Sequence, residues 1–153
     1  MIDQLQTVFA SFQKNDVRYL VIGGIAAVLY GVPRATFDLD ILIQPTKQNA
    51  QNLLEALAQL NFGTADMITA DELVDTEITI FTDRVRLDVQ TSTPGILFDE
   101  AWPRRVKMSY KGQVFDVVSL ADLIKSKTAA GREIDLEDVR LLKLVQKESN
   151  SED

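Results

Sequence analysis

The chain has 153 residues, of which 46% are hydrophobic and 25% are charged, and its formal net charge is −7. This length and hydrophobic content predict one domain with its own core, over residues 1–148, followed by a disordered tail at 149–153. The absence of histidine and cysteine excludes Ser-His and Cys-His catalysis, thiolate zinc sites and redox dithiols. The negative charge argues against broad, sequence-independent binding of nucleic acid.

The N-terminal residues do not form a signal-peptide pattern. The longest apolar run, residues 19–32, is too short for a membrane span and contains the Gly23-Gly24 pair. We therefore expect a cytoplasmic protein that does not contact a membrane. The lack of cysteine permits a reducing compartment but does not establish one.

Hydrophobic periodicity predicts an α+β fold, with a small mixed β-sheet flanked by helices and two further helices at the C-terminus. The predicted elements in chain order are helix 3–14, strand 18–22, helix 25–30, strand 37–43, helix 47–60, hairpin strands 76–81 and 85–89, a short helix 96–102, and hairpin strands 104–108 and 113–118.

Gly23 and Gly24 lie between the first predicted strand and the helix after it. A strand, a glycine turn and a helix N-terminus expose backbone N–H groups to an anion, and glycine allows a phosphate to approach closely. A glycine pair alone is weak evidence for such a site. It gains weight because an acidic strand follows at a distance that returns the chain to the neighbouring strand.

Asp38 and Asp40 lie one residue apart in the predicted strand 37–43. Because side chains alternate along a strand, both aspartates project to one face while Leu39 enters the core. Two carboxylates on one face repel each other, and divalent cations relieve that repulsion. The pair alone is equally compatible with the solvated face of an edge strand.

Asp88 lies in the second arm of the predicted hairpin, between Leu87 and Val89. These apolar neighbours face the core, so Asp88 faces the other side of the sheet. If this strand pairs beside the strand that carries Asp38 and Asp40, three carboxylates converge. Such a set is what a two-metal site for phosphoryl transfer requires.

These three motifs together resemble the nucleotidyltransferase fold that is shared with DNA polymerase β. The resemblance is closest to its small prokaryotic branches, which include the AbiEii-like toxins and the minimal nucleotidyltransferases of toxin–antitoxin pairs. The segment 119–138 is similar to the C-terminal Lys-Arg-Asp helix motif of the AbiEii-like group. In all, the resemblance extends over about residues 17–145.

The resemblance implies that Asp38 and Asp40 bind two Mg²⁺ or Mn²⁺ ions and that Asp88 completes the second metal site. Asp88 would also help to deprotonate the hydroxyl of the acceptor. The substrate would be an NTP, which includes ATP.

The resemblance also assigns residues to the nucleotide phosphates. Gly23 and Gly24 would surround them, and Lys127 would reach the triphosphate. Many relatives have Gly-Ser in place of this glycine pair, and their serine hydroxyl binds a phosphate. Gly24 can supply only its backbone N–H. Arg34 and Thr36, just before the acid pair, either contact a phosphate or brace the loop.

Two runs of basic residues occur, at 104–107 and at 125–132. The first is typical of an edge strand protected by positive charge. The second either complements a helix dipole near Gly131 or contributes to phosphate binding. Nucleic acid is therefore expected only as an acceptor that binds through such local patches.

The expected function is metal-dependent transfer of an NMP from an NTP to a protein hydroxyl, a tRNA end or a small molecule. Because the chain is little more than one fold core, a protein partner or a second copy could complete the acceptor pocket. The alternatives are a toxin–antitoxin component that acts by binding a partner, with weak or lost catalysis, and a non-catalytic nucleotide sensor.

Overall fold

The computed structural model describes residues 2–151. Within them, six strands form one mixed sheet in the order β3-β4-β2-β1-β6-β5. The strands are β1 (Tyr19–Ile22), β2 (Asp38–Ile43), β3 (Ile78–Thr82), β4 (Arg86–Gln90), β5 (Val106–Tyr110) and β6 (Gln113–Val117). The helices are α1 (Ile2–Lys14), α2 (Gly23–Leu29), α3 (Lys47–Gln59), α4 (Ala70–Asp75), α5 (Phe98–Ala101), α6 (Leu120–Ala130) and α7 (Glu133–Ser151).

The sheet is most deeply buried at its central strands, β1 and β2. All four residues of β1 are buried, and the last three residues of β2 are buried as well. Such continuous apolar runs are typical of strands covered on both faces. Leu39 and Ile41 are fully enclosed, so the apolar side of β2 anchors the strand that carries the acids.

Helix α1 packs against α3 and β6, and an aromatic cluster joins it to β1 and β6. The Phe9 ring stacks on Phe115, with centroids 4.5 Å apart, and lies 5.9 Å from the Tyr19 ring. Phe12 is fully buried beside them. Aromatic pairs at such distances stabilise a core beyond the apolar area that they remove from water.

Helices α6 and α7 form a close pair at the C-terminal end of the described chain. The Ser119 hydroxyl accepts from the Asp122 N–H and caps α6, which ends at Gly131 in the left-handed conformation (φ 69°). Glycine adopts this conformation without the steric cost of a Cβ atom. The reversal brings the start of α7 back against α6.

The α+β class and the mixed sheet of the prediction are confirmed. The second hairpin begins later than predicted, because residues 102–104 form a 3-10 turn that contains Pro103. The sequence analysis missed α4, although Thr69 and Glu72 form a capping box at its start. The first helical residue of α2 is Gly23, so no separate turn precedes this helix.

The predicted disordered tail differs from the structure over its first part. Helix α7 continues through Ser151, so residues 149–151 are helical. Residues 152 and 153 lie outside the described part of the chain. No helix among the described residues is both long and apolar enough to cross a membrane.

Candidate active site

Parallel pairing of β2 with β4 brings the predicted acids together. Asp40 lies opposite Asp88, and Asp38 lies opposite Arg86, in the register of the two strands. Leu39 and Leu87 point to the other face, where both are buried. The alternation along each strand therefore places Asp38, Asp40 and Asp88 on one face, as predicted.

Asp40 is the electrostatically strained member of this group. Burial raises its pKa most strongly, and the charge of Asp88, a hydrogen bond with Asp88 and the charge of Asp38 raise it further, to about 7. The charge of Lys127 lowers it only in part. A carboxylate that is desolvated and surrounded by like charges holds a proton near neutral pH.

Arg86 pairs with the acid group from within β4. Its Nε donates to Asp88 Oδ1 at 2.9 Å and its Nη2 donates to Asp88 Oδ2 at 3.2 Å. The Nε also lies 3.9 Å from Asp38 Oδ2. In this arrangement, no three acidic side chains within residues 2–151 are placed to coordinate one metal ion.

Gly23 lies directly against the acid group. Its φ of 69° is left-handed, and a Cβ atom there would overlap the Asp40 carboxylate. A side chain at this position would therefore be strained and would also displace Asp40. The backbone at the start of α2 approaches Asp40 closely only because residue 23 is glycine.

Gly24 is buried behind Gly23. A Cβ atom at Gly24 would lie 2.5 Å from Arg34 Nη2 and 2.9 Å from Thr36 Oγ1. Arg34 and Thr36 therefore cover Gly24, which supports the loop-bracing interpretation of these two residues. Their predicted contact with phosphate stays a prediction.

Lys127 is buried on the side of the site that α6 and α7 form. Its Nζ donates to Asp138 Oδ2 at 2.8 Å and lies 3.7 Å from Asp135 Oδ1. All three side chains are at most 7% exposed. Burial of charges is tolerated only when they are paired and hydrogen-bonded, as they are here.

Two arginines join the same network from different segments. Arg34 Nη2 lies 3.5 Å from Asp138 Oδ2, and the buried Nε of Arg34 has no hydrogen-bond partner in the described part of the chain. Arg132 Nε and Nη2 donate to Asp135 at 2.7 and 3.2 Å. Burial opposes ionisation of Asp135, but the Arg132 hydrogen bonds and the charges of Arg132 and Lys127 outweigh it and lower its pKa.

A cavity of about 560 Å³ lies between the acid group and this network. The predicted site residues that line it are Gly23, Asp38, Asp40, Asp88 and Lys127. Its other polar or charged lining residues are Arg86, Gln90, Thr93, Ser126, Arg132 and Asp135. Gly24, Arg34 and Thr36 are not among the lining residues, so the structure does not place these three predicted residues at the cavity.

The β4–α5 loop closes the cavity against α6 at Gly95. A Cβ atom at Gly95 would lie 2.9 Å from the Ala129 Cβ and 2.9 Å from the Lys125 carbonyl oxygen. The contact holds Thr93 and Pro94 at the edge of the cavity. Lys125 itself is exposed, whereas Lys127 is buried, as their different helix faces predict.

The basic run at 104–107 has a structural role. Arg104 forms a forked pair with Asp122 at 2.9 and 3.1 Å, and Lys107 donates to Asp116 at 2.9 Å. The Arg105 guanidinium lies 3.9 Å from the Trp102 ring centroid. Strand β5 is the edge of the sheet, which agrees with the edge-strand interpretation of this run.

Sequence reasoning missed the roles of Arg86, Asp135 and Asp138. Arg86 precedes Asp88 by two residues on a strand, which by itself places the two side chains on one face. Asp135 and Asp138 are three residues apart on a helix and therefore share a face. These spacings indicate which side chains share a face. They do not identify the residue on another element with which each side chain pairs.

Comparison with solved structures gives the same fold. A candidate nucleotidyltransferase from Thermotoga maritima superposes with a TM-score of 0.55 at 16% identity, over 98% of this chain and 92% of that one. An antigenic nucleotidyltransferase-like protein from Paracoccidioides brasiliensis superposes with a TM-score of 0.55 at 17% identity, over 90% of this chain and 72% of that one.

No curated protein matches the sequence. A family model, described as a nucleotidyltransferase of unknown function (DUF6036), matches residues 2–150. That match extends through the acid strands, the glycine pair and both C-terminal helices. The chain therefore belongs to the DUF6036 nucleotidyltransferase family.

Proposed function

We propose that this protein is a metal-dependent nucleotidyltransferase that moves an NMP from an NTP to a hydroxyl group and releases pyrophosphate. The observation that carries the proposal is the placement of Asp40 beside Asp88 on parallel strands, against Gly23 and across a cavity from buried Lys127. A sheet that served only as a scaffold would gain nothing from mutually repelling carboxylates in a cavity.

The donor chemistry fits Mg²⁺ or Mn²⁺. Asp38, Asp40 and Asp88 would hold the metal through hard carboxylate oxygens, which these ions prefer. Burial, followed by the charges of Asp88 and Asp38, raises the pKa of Asp40, and a bound cation would oppose that rise. When bound, the metal would supply charge neutralisation at the triphosphate.

The cations on the α6–α7 side would bind the triphosphate. Lys127 and Arg132 line the cavity. Arg34 Nη2 lies 3.5 Å from Oδ2 of Asp138, the acid that also binds Lys127. Ammonium and guanidinium groups held in place by buried acids offer a preorganised surface for phosphate oxygens. Gly23 lines the cavity beside Asp40, so a phosphate in that cavity would meet a residue without a side chain.

In the proposed reaction the acceptor oxygen forms a bond to the α-phosphorus, while the bond from that phosphorus to the pyrophosphate oxygen breaks. The hydroxyl proton passes to Asp88, and Lys127 and Arg132 stabilise the departing pyrophosphate. The acceptor would be a protein hydroxyl, a tRNA end or a small molecule. We place the reaction in the cytoplasm, in a toxin–antitoxin setting of the AbiEii-like kind.

The test is incubation of the protein with Mg²⁺, a cell lysate and each NTP labelled at either the α- or the γ-phosphate. Transfer of an NMP predicts an acceptor that keeps the α-label and does not acquire the γ-label. Asp40→Asn is the matched control, because it removes one carboxylate charge with little change in shape. Identification of the labelled molecule gives the acceptor.

A second readout does not depend on the acceptor. Mn²⁺ together with a non-hydrolysable NTP should raise the melting temperature of the wild type, because a ligand that binds only the folded state stabilises it. Absence of both labelling and a thermal shift would overturn the proposal. The chain would then be better explained as a toxin–antitoxin component that acts through a protein partner.

A further inference from the structure

We infer that Arg86 is a built-in counter-ion that competes with the divalent metal for Asp88 and must leave it before the metal site forms. This inference rests on the proposed function. It concerns how that site is filled, and it makes Arg86 a residue that sets the metal affinity of the free protein.

The geometry places the Arg86 guanidinium between two predicted metal ligands. It bonds both oxygens of Asp88, at 2.9 and 3.2 Å, and its Nε lies 3.9 Å from Asp38 Oδ2. A metal ion shared by Asp38 and Asp88 would need the same space. The forked contact therefore occupies the space that a metal ion would need, and it also neutralises part of the negative charge of the acids.

The charge balance of the site supports competition. Asp38, Asp40 and Asp88 contribute three negative charges when ionised, and Arg86 contributes the positive charge nearest to Asp88 among its described partners. Lys127, the cation across the cavity, is already bound to Asp138 at 2.8 Å. Arg86 thus stabilises the metal-free acid group, and a divalent cation has to replace that stabilisation.

Release of Arg86 requires little rearrangement. Its side chain is 45% exposed, and it lies near the start of a strand close to the β3–β4 turn. An exposed ion pair contributes little to stability, so the guanidinium can move into solvent while the strand keeps its place. By contrast Asp88 is only 14% exposed and stays in position on the sheet.

The opposite role is that Arg86 holds Asp88 in the orientation that the metal needs. The two roles predict opposite effects of removing the guanidinium. Competition predicts tighter metal binding by Arg86→Gln, whereas orientation predicts weaker binding. The sign of the change in metal affinity therefore decides between them.

The experiment measures Mn²⁺ binding to the NTP-free protein by isothermal titration calorimetry. Because Arg86 is partly exposed, Arg86→Gln should fold, and the Kd for Mn²⁺ should fall by about fivefold, the scale of one partly exposed ion pair. Arg86→Lys keeps the charge but loses the fork, so its Kd should lie between those of Arg86→Gln and wild type.

Arg84→Gln is the matched control. Arg84 lies two residues away in the same hairpin, but its guanidinium donates to the Leu60 carbonyl oxygen at 2.7 Å and not to the acids. The variant has the same net charge as Arg86→Gln. Its Kd for Mn²⁺ should therefore stay within about twofold of wild type, since distant exposed charges are screened.

An unchanged or higher Kd in Arg86→Gln, with wild-type Mn²⁺ binding intact, would overturn the inference and leave the proposed function standing. Absence of Mn²⁺ binding in all variants, with Asp88→Asn as the reference for a lost ligand, would overturn both. Equal tightening by Arg84→Gln and Arg86→Gln would assign the effect to net charge and would also overturn the inference.

Discussion

Two groups of aspartates lie on different elements around the same cavity, and they differ in how their charge is compensated. On α7, Asp135 and Asp138 are at most 3% exposed and bind three cations, Lys127, Arg132 and Arg34. On the strands, Arg86 is the ion-pair partner of Asp38 and Asp88, and Asp40 has no ion-pair partner within residues 2–151.

The difference separates structural from chemical carboxylates. The α7 acids already pair with cationic side chains, so they hold those cations in place. For the same reason they are poor ligands for an added metal ion. The strand acids are under-compensated and accessible from the cavity, which is the state that an incoming cation relieves. Acidic clusters in a cavity are thus better sorted by their partners than by their number.

The largest expected effect is on activity at Asp40. Asp40→Asn should lower NMP transfer by a factor on the order of 10³, because a metal ligand and its charge are lost. The same variant should keep or increase the metal-free melting temperature, since it removes the repulsion with Asp88. Acceptor labelling and thermal unfolding measure the two effects. A large drop in stability would place Asp40 with the structural acids.

Substitution of an α7 acid should lower the stability of the protein. Asp138→Ala leaves Lys127 buried without its 2.8 Å partner and should lower the free energy of unfolding by about 3 kcal/mol. Guanidinium chloride unfolding measures the change. The double variant Lys127→Met/Asp138→Leu should recover most of the loss, because an apolar pair has no charge to compensate. Failure of that recovery would contradict the structural interpretation.

Lys127 sharpens the comparison, because it belongs to the α7 network and also faces the cavity. Lys127→Ala should raise the KM for NTP and lower kcat together, with kcat/KM reduced by about thirtyfold, since ground-state binding and transition-state neutralisation both weaken. Lys125 is exposed on the other face, so steady-state kinetics of Lys125→Ala should match wild type. Equal kinetics for both variants would remove Lys127 from the site.

The pH dependence of stability should also distinguish the groups. The pKa of Asp40 is raised from 3.8 to about 7 in the folded protein, so folding favours its protonated form. Stability should therefore fall as pH rises from about 4 to about 7, by on the order of 2 kcal/mol. Asp40→Asn should flatten this slope in denaturant titrations, and saturating Mg²⁺ should do the same. An unchanged slope in Asp40→Asn would contradict the assignment.

The smallest effect is expected at an exposed pair on α7. Arg140 Nη2 donates to Glu137 Oε1 at 2.7 Å, but both side chains are more than half exposed. Solvent screens such a pair, so Arg140→Ala should leave the melting temperature within experimental error. A clear loss of stability there would show that exposure does not separate the ion pairs of this helix.

The predictable part of the fold is the part that local patterning determines. Alternation around Leu39 and Leu87 correctly predicted which face the acids occupy. The pairing of β2 beside β4 was assumed, because strand order depends on contacts across the whole chain. Helix α4 was missed although its capping box was visible in the sequence. The helix has only six residues, which is too short to show a clear hydrophobic periodicity.

Within the site, sequence reasoning identified several of the residues that line the cavity, but not the ion pairs that they form. Asp40, Asp88, Gly23 and Lys127 were predicted and meet at one cavity. Burial of Lys127 against Asp138 was not predictable, because it depends on how α7 returns along α6 after Gly131. Their assigned roles in binding metal and nucleotide stay predictions.

The register of β2 against β4 also has an evolutionary consequence. Asp40 faces Asp88 only because the two parallel strands are aligned residue for residue from Asp38 to Leu42. A deletion of one residue within β4 would turn Asp88 into the core and Leu87 toward the cavity. We therefore expect homologous chains to align without gaps over these two strands, and to accumulate changes of length in the segment that joins them.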